Sequence, residues 1–189
     1  MPAVEKITRE ELYNHLVSLD PTARHLRFGF SPSDASIEGY TDNIDDGDFL
    51  YGIRSNITDD VVSSAIHLAI DGDIAELGIS TLDSARRRGY AERLLRYGVD
   101  ILRNRQIYQM YSVCLPENWP LLKLIQKLNI ISIKNEEGDK QANISIPMAG
   151  LDSFYNEIQN EQMVIIDRSM RPWATMWSAM LQELKKNGR

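Results

Sequence analysis

The sequence has one cysteine, Cys114, in 189 residues, which rules out an intramolecular disulfide framework and fits a reducing compartment. Its three histidines, His15, His25 and His67, show no metal-ligand spacing with one another or with Cys114, so no metal is expected. No stretch reaches the roughly 18 apolar residues of a membrane span. The N-terminus MPAVEKITREEL carries charge where a signal peptide would carry an apolar run. Positive charge is also scarce: 21 Lys and Arg stand against 27 Asp and Glu, a net charge of −6. That balance argues against a general affinity for nucleic acid or anionic membrane. The expectation is a cytoplasmic protein of one domain with a full core, plus appendages, in which any anion site is local.

What is present reads as a mixed α/β chain. Thr8 followed by Glu11 in TREELYNHLVSL is a capping-box pattern, and Leu12, His15, Leu16 and Leu19 share a helical face. Asp20-Pro21 ends that helix. Ser33 can cap a second helix carrying Ile37, Tyr40 and Ile44. The link between them, ARHLRFGFSP, is apolar and basic and receives no element. From Asp48 three short β-branched strands follow, DFLYGIRSN, VVSSAIHLAI and DIAELGIST, the last two joined by an Asp71-Gly72 turn signal. Helical spacing then returns to about residue 104. A strand, IYQMYSVCL, a helix, NWPLLKLIQKL, and two strands, IISIK and ANISIPM, split by NEEGDK, complete the pattern. The fold class expected is a mixed, mostly antiparallel central sheet with helices on both faces. Cys114 is read as a small apolar residue of a buried strand, with a nucleophile as the alternative.

Residues 1–149 form the expected domain and residues 150–189 a helical C-terminal extension. Met170, Trp173, Met176, Trp177, Met180, Leu181 and Leu184 make one broad apolar stripe on it. The stripe packs onto the protein's own sheet or serves as a homodimer surface.

The segment LDSARRRGYAERLL poses a different question, because it concentrates Arg86, Arg87 and Arg88 in an acidic chain. A strand ending at GISTL and passing into a helix near Arg87 would present free amides at a helix start, which is an anion site. Arginines in a first turn oppose the helix dipole, and Gly89 there costs about 0.5–1 kcal/mol relative to Ala. A bound phosphate compensates both; the alternative is a solvated basic turn. Neither a P-loop nor a G-x-G-x-x-G fingerprint is present.

The stretch AELGISTLDSARRRGYAERLLRYGVDIL resembles the acetyl-CoA-binding core of the GNAT N-acetyltransferase superfamily, whose signature [QR]-x-x-G-x-[GA] reads here Arg86-x-x-Gly89-x-Ala91. With VCLPENWPLLKLIQKLNI the resemblance covers roughly residues 48–148. It implies the GNAT-like fold and an acetyl-CoA co-substrate. It implies further that the amides of Arg87, Arg88, Gly89, Tyr90, Ala91 and Glu92 cradle the pyrophosphate, with Arg86 at the first signature position. Ile79, Ser80 and Thr81 would pair with the pantetheine arm, and Asn118 would contact the cofactor. Asn118 also suits the N-cap of NWPLLKL, with Pro120 in the first turn.

The sequence departs from the family at three places. The tyrosine seven residues after the Asn falls at Ile125, the glutamate five residues before it falls at Val113, and the closing Gly-Phe is Asn129-Ile130. Glu76 on the central strand is then the best general-base candidate, with cross-sheet pairing to His67 or a cation as its alternative role. Tyr108 and Tyr111 offer phenols but also suit a core. ARHLRFGFSPSDASIEGY resembles a feature of members related to bacterial protein-lysine acetyltransferases, which makes Arg27, Phe28 and Phe30 candidates for an acceptor wall. The acidic run TDNIDDGD either attracts a cationic amine or is a solvated loop.

The expectation is an N-acetyltransferase acting on a primary amine of a protein or small molecule, with no nucleic acid or membrane partner. The competing reading is an acyl-CoA-binding regulatory or structural module. A nucleic-acid role for RRR lacks a second basic stripe.

Overall fold

The computed structural model describes residues 2–54, 61–128, 131–136 and 139–187. A two-residue strand β1 (Glu5–Lys6) precedes helix α1 (Arg9–Val17). The capping box forms: Thr8 Oγ1 accepts from Glu11 N at 3.1 Å, and Glu11 Oε2 accepts from Thr8 N at 2.8 Å. Helix α2 (Pro21–Phe28) occupies the segment to which the sequence assigned no element. Asp20 and Pro21 act twice here. They keep α1 from continuing, and they start α2, because Asp20 Oδ1 accepts from Ala23 N at 2.9 Å and Pro21 takes a first-turn place where no N–H is needed. Ser33 caps α3 (Asp34–Asp42) as its position predicts.

Strands β2 (Phe49–Arg54), β3 (Val62–Asp71) and β4 (Ile74–Thr81) form the expected antiparallel meander. Asp71 pairs with Ile74 across the turn, and Gly72 at φ +60° supplies the left-handed first position of a two-residue hairpin. A 3₁₀ turn (Asp83–Ala85) leads to α4 (Tyr90–Asn104), β5 (Gln109–Cys114), α5 (Trp119–Gln126), β6 (Ile131–Glu136), β7 (Asp139–Ser145) and α6 (Leu151–Asn187). The last strand pair takes in Asn135, Glu136, Asp139 and Lys140 of NEEGDK; Asn129, Ile130, Glu137 and Gly138 lie outside the described residues.

The strands make one seven-stranded sheet ordered β1-β2-β3-β4-β5-β7-β6. Among the described residues only β4 and β5 run parallel; every other neighbouring pair is antiparallel. Helices cover both faces. Leu94, Leu95, Ile101 and Leu102 of α4, each at most 1% exposed, pack with Ile66, Leu68, Leu77 and Met110 on one face, and Ile125 of α5 joins them. Leu12, Leu16, Ala23 and Ile37 of α1 to α3 pack over Val62 and Ala65 on the other. Each fully buried aliphatic side chain contributes about 1.5–3 kcal/mol.

Helix α6 is one continuous element of 37 residues, about 55 Å long, and it buries its polar face. Asn160 takes a hydrogen bond from Val4 N at 3.0 Å and gives one to Val4 O at 2.7 Å, fixing the helix to the backbone beside β1. Glu5, 3% exposed, pairs with Arg54 at 3.2 Å and with Arg171. The apolar stripe points away from the domain: Met170, Trp173, Met176, Trp177, Met180, Leu181 and Leu184 are each at least half exposed. Of the two placements weighed from the sequence, packing onto the protein's own sheet is not the one adopted. No helix among the described residues is long and apolar enough to cross a membrane.

His15 pins α1 to the sheet. Its Nδ1–H donates to Val62 O at 2.7 Å, which leaves Nε2 to accept from Ser80 Oγ at 2.8 Å. Burial pushes its pKa from 6.5 down to about 4, with the Val62 bond opposing and Arg27 adding to the shift. The unfolded chain therefore binds a proton below pH 6.5 that the folded protein refuses until about 4. The His15 contribution to stability should fall through that window, as pH drops, by on the order of 3 kcal/mol, and the loss should be complete below it. Urea midpoints between pH 7 and 4 check this, and His15→Gln should flatten the slope.

Candidate functional site

The parallel pairing of β4 with β5 lasts for three residues, Ile74, Ala75 and Glu76 opposite Gln109, Met110 and Tyr111. Beyond it the strands part, and Ser112 Oγ reaches back to Leu77 O at 3.1 Å. Each strand stays bonded on its far side, β4 to β3 through Thr81 and β5 to β7 through Cys114. The gap thus has two ordered walls. Ile79, Ser80 and Thr81 lie half-buried along the β4 wall.

At the far end of that wall the chain turns into α4. Arg87 has φ +61° and Gly89 φ +79°, and Gly89 is the N-cap. The helix therefore begins at Tyr90, three residues later than expected, because two left-handed residues interrupt any helical path through the arginines. Arg86, Arg87 and Arg88 belong to the turn before the helix, so the argument that they oppose the dipole from inside the first turn does not hold. Arg93 N bonds back to Gly89 O at 3.0 Å, and amides ahead of it at a helix start point outward. Left-handed residues in such a turn orient successive N–H groups into a concave anion site. Arg86 pairs with Asp83 at 3.0 Å and Asp20 at 3.4 Å, whereas Arg87 and Arg88 extend into solvent. Glu92 stands in the first turn, suited to the dipole, and its bonds to Lys127 at 2.5 Å and Arg96 at 3.1 Å hold its carboxyl below the usual value.

A cavity of about 290 Å³ opens where the strands part. Glu76 lines it from β4, and its Oε2 accepts from Tyr111 Oη at 3.0 Å. Burial, then the Glu76 contact, push the Tyr111 phenol up, so it remains a donor to the carboxylate. Tyr111 is thus tied to a cavity carboxylate and is not part of the buried core; both it and Tyr108 are half-buried and outside the cavity lining itself. Arg27 and Phe28 of α2 also line the cavity. Phe30, 59% exposed, takes no part.

A chain of side chains that the sequence did not announce runs from the cavity lining to Asp48. Arg27 Nη2 donates to Tyr40 Oη at 2.9 Å, Tyr40 Oη donates to His67 Nδ1 at 2.5 Å, and His67 Nε2 donates to Asp48 Oδ2 at 2.9 Å. Asp48 Oδ1 accepts from Ile70 N at 2.8 Å, which fixes the carboxylate. One direction of donation runs through all four groups and sets the imidazole tautomer. Burial lowers the His67 pKa against the pull of Asp48. His67 therefore partners Tyr40 and Asp48, and the alternative of a His67–Glu76 pair is not adopted. Of the acidic run, Asp48 alone is withdrawn from solvent; Asp42, Asp45 and Asp46 are exposed.

Asn118 is 6% exposed and caps α5, accepting from Leu121 N at 3.2 Å while its Nδ2 donates to Leu26 O at 3.0 Å. It joins α5 to the helix that carries Arg27. Ile125, at the position where the family has tyrosine, is 1% exposed in the core, Val113 lines the cavity, and Cys114 is buried. Among the described residues no group of three or more His, Cys, Asp or Glu could hold a metal ion.

A parted parallel strand pair with a cavity at the parting, and a turn with left-handed Arg87 and Gly89 ahead of α4, agree with what sequence comparison finds. The model of the acetyltransferase (GNAT) family matches residues 10–129. The chain belongs to the GNAT acetyltransferase family. Solved structures share the fold. The GNAT domain of S. lividans PAT is 19% identical, with TM-score 0.61, covering 75% of this chain and 89% of that one. The ribosomal-protein-S18-alanine N-acetyltransferase of Escherichia coli is 17% identical, with TM-score 0.58, covering 80% and 98%. The PaiA N-acetyltransferase of Thermoplasma acidophilum, solved with coenzyme A, is 15% identical, with TM-score 0.58, covering 77% and 99%. No curated protein matches the chain.

Removing the Asn118 side chain should unseat α2 from α5 as well as uncap α5. We expect Asn118→Ala to lower stability by about 1–3 kcal/mol, read as a shift in thermal midpoint.

Proposed function

We propose that this family member is an N-acetyltransferase that moves the acetyl group of acetyl-CoA to a primary amine by direct attack. The observation that carries the reading is the placement of Glu76 at the point where β4 and β5 part. Thr81 lies five steps along the strand from Glu76, about 17 Å of wall, and the Gly89 turn follows. A pantetheine arm extended beside Ile79, Ser80 and Thr81 would run from pyrophosphate at that turn to a thioester near Glu76. The amides of residues 87–92 would hold the diphosphate, with Arg86, Arg87 and Arg88 adding charge. Asn118 would act mainly by holding the ends of α5 and α2 in place beside the cofactor.

In the reaction the amine nitrogen attacks the thioester carbonyl, Glu76 takes the amine proton directly or through water, and a β4 amide steadies the oxyanion. The C–S bond then breaks and the CoA sulfur leaves, becoming the thiol once protonated. Tyr111 orients the Glu76 carboxylate. The single cysteine fits a reducing, cytoplasmic setting. Residues 1–149 would form the catalytic unit and residues 150–189 an appended helix.

A second reading, an acyl-CoA-binding module with little turnover, is favoured by one observation: α5 places buried Ile125 where the family supplies a phenol.

The outer stripe of α6 supports a homodimer. Ile166, Met170, Trp173, Trp177, Met180 and Leu184 recur at spacings of four and three, which is the seam of a helix that pairs with a like helix. All six are at least half exposed.

Gly89→Glu should abolish acetyl-CoA binding by calorimetry while leaving the circular dichroism spectrum intact; unchanged binding would remove the turn from the reading. Across a panel of amines, Glu76→Gln should lower kcat/KM by about 10²–10⁴, whereas an absence of transfer by the intact protein together with tight CoA binding would favour the module. Sedimentation should report a dimer that Trp173→Glu with Trp177→Glu converts to monomer; a wild-type monomer at tens of micromolar sinks the dimer.

A further inference from the structure

Arg27 is the cation of the cavity for which the acetyl-transfer reading has no use. Its Nη2 gives one hydrogen bond, to Tyr40, and its guanidinium faces the Phe28 ring at 4.9 Å and the Tyr40 ring at 5.7 Å. Among the described residues no carboxylate lies within ion-pair distance of it. Arg24, Arg54 and Arg103, also withdrawn from solvent, each have one within 3.2 Å. Glu76, the carboxylate that lines the cavity, is engaged by Tyr111, and Asp48, at the end of the Tyr40–His67 chain, by His67 and Ile70. A half-buried guanidinium with free donors and no counter-charge is costly unless an anion completes it.

The backbone has been shaped to admit this cation. A methyl group on Gly78 would fall 1.9 Å from Arg27 Nη2, so only glycine lets the guanidinium lie against β4. Glu76 and Gly78 are two residues apart on one face of the strand, about 7 Å. A proton acceptor and an anion receptor thus stand side by side over the parting of β4 and β5. Tyr40, held by His67 and Asp48, and the Phe28 ring fix the guanidinium from behind, which suits the planar two-donor recognition of a carboxylate.

We propose that the acceptor is an amine that carries its own carboxylate a few bonds away, as a free amino acid does, with Arg27 binding the carboxylate while Glu76 takes the amine proton. The inference rests on the acetyltransferase reading. It selects among acceptors: a carboxylate bridging to Arg27 brings the neighbouring nitrogen to Glu76, and a plain alkylamine meets an unpaired positive charge instead.

The test uses the full chain, acetyl-CoA and matched acceptors: amino acids, their amides, and the same amines lacking the carboxyl group. Wild type should prefer the carboxylate member by roughly 10- to 100-fold in kcat/KM. Arg27→Gln should erase that preference by slowing the carboxylate acceptor and not the amide, and Arg27→Lys should retain part of it. Calorimetry with acetyl-CoA confirms that each variant still binds cofactor. Equal rates for acid and amide, or a preference that survives Arg27→Gln, would overturn the proposal. An Arg27-dependent preference for succinyl-CoA over acetyl-CoA with neutral acceptors would overturn it too, by placing the carboxylate on the donor. A binding arm separates this from failure of acetyl transfer itself: N-acetyl amino acids should raise the thermal midpoint of wild type more than their amides do, and not that of Arg27→Gln. Absence of that difference counts against the proposal even where no turnover is seen.

Discussion

The fold turns on an interruption. Among the described residues β4 and β5 are the only parallel neighbours in the sheet, and they stay paired for three residues before separating. Each further ladder bond would add on the order of 1 kcal/mol, so their absence is a real cost. The sheet tolerates it because β3 and β7 keep both strands in place from outside. The structure thereby gains a strand edge that faces inward, where no second copy of the chain can pair with it. The cavity, the exposure of Glu76 and the direction in which β4 delivers the chain to the Gly89 turn all follow from where that pairing stops.

Charge is distributed by the same logic. An acidic chain places its cations individually, and most are matched: Arg54 to Glu5, Arg103 to Asp152, Arg105 to Glu157. Among the described arginines, those without an ion pair are Arg87 and Arg88 at the Gly89 turn, Arg27 in the cavity, and Arg93 on α4, whose Nη2 reaches Met163 Sδ instead. Net charge therefore says little about what this surface binds, while the location of the unpaired cations says a good deal.

Local signals were legible in the sequence and tertiary ones were not. The Thr8 capping box, the Ser33 cap and the Gly72 hairpin rest on chemistry within a few residues, and all three appear where the spacing puts them. Helix α2 escaped notice because its eight residues are too few for a period, and because Asp20-Pro21 ends one helix and begins another. The start of α4 was misplaced because a left-handed arginine has no residue signature. The run from Arg27 through Tyr40 and His67 to Asp48 draws on four separate segments, and Tyr40 looked like part of an ordinary apolar stripe. The reading of Glu76 as a cavity residue came from the family frame, which locates the strand; its tie to Tyr111 needed the register of β4 against β5.

Helix α6 holds the domain with Asn160, Arg171 and Arg168 and turns Met170, Trp173, Met176, Trp177 and Met180 outward. The two faces answer ionic strength in opposite senses. Added salt screens the more exposed Glu5–Arg168 contact, whereas sulfate-type salts strengthen association of apolar surface. The grip of the arm on its own subunit and any association through its outer face therefore move in opposite directions as the ionic medium changes.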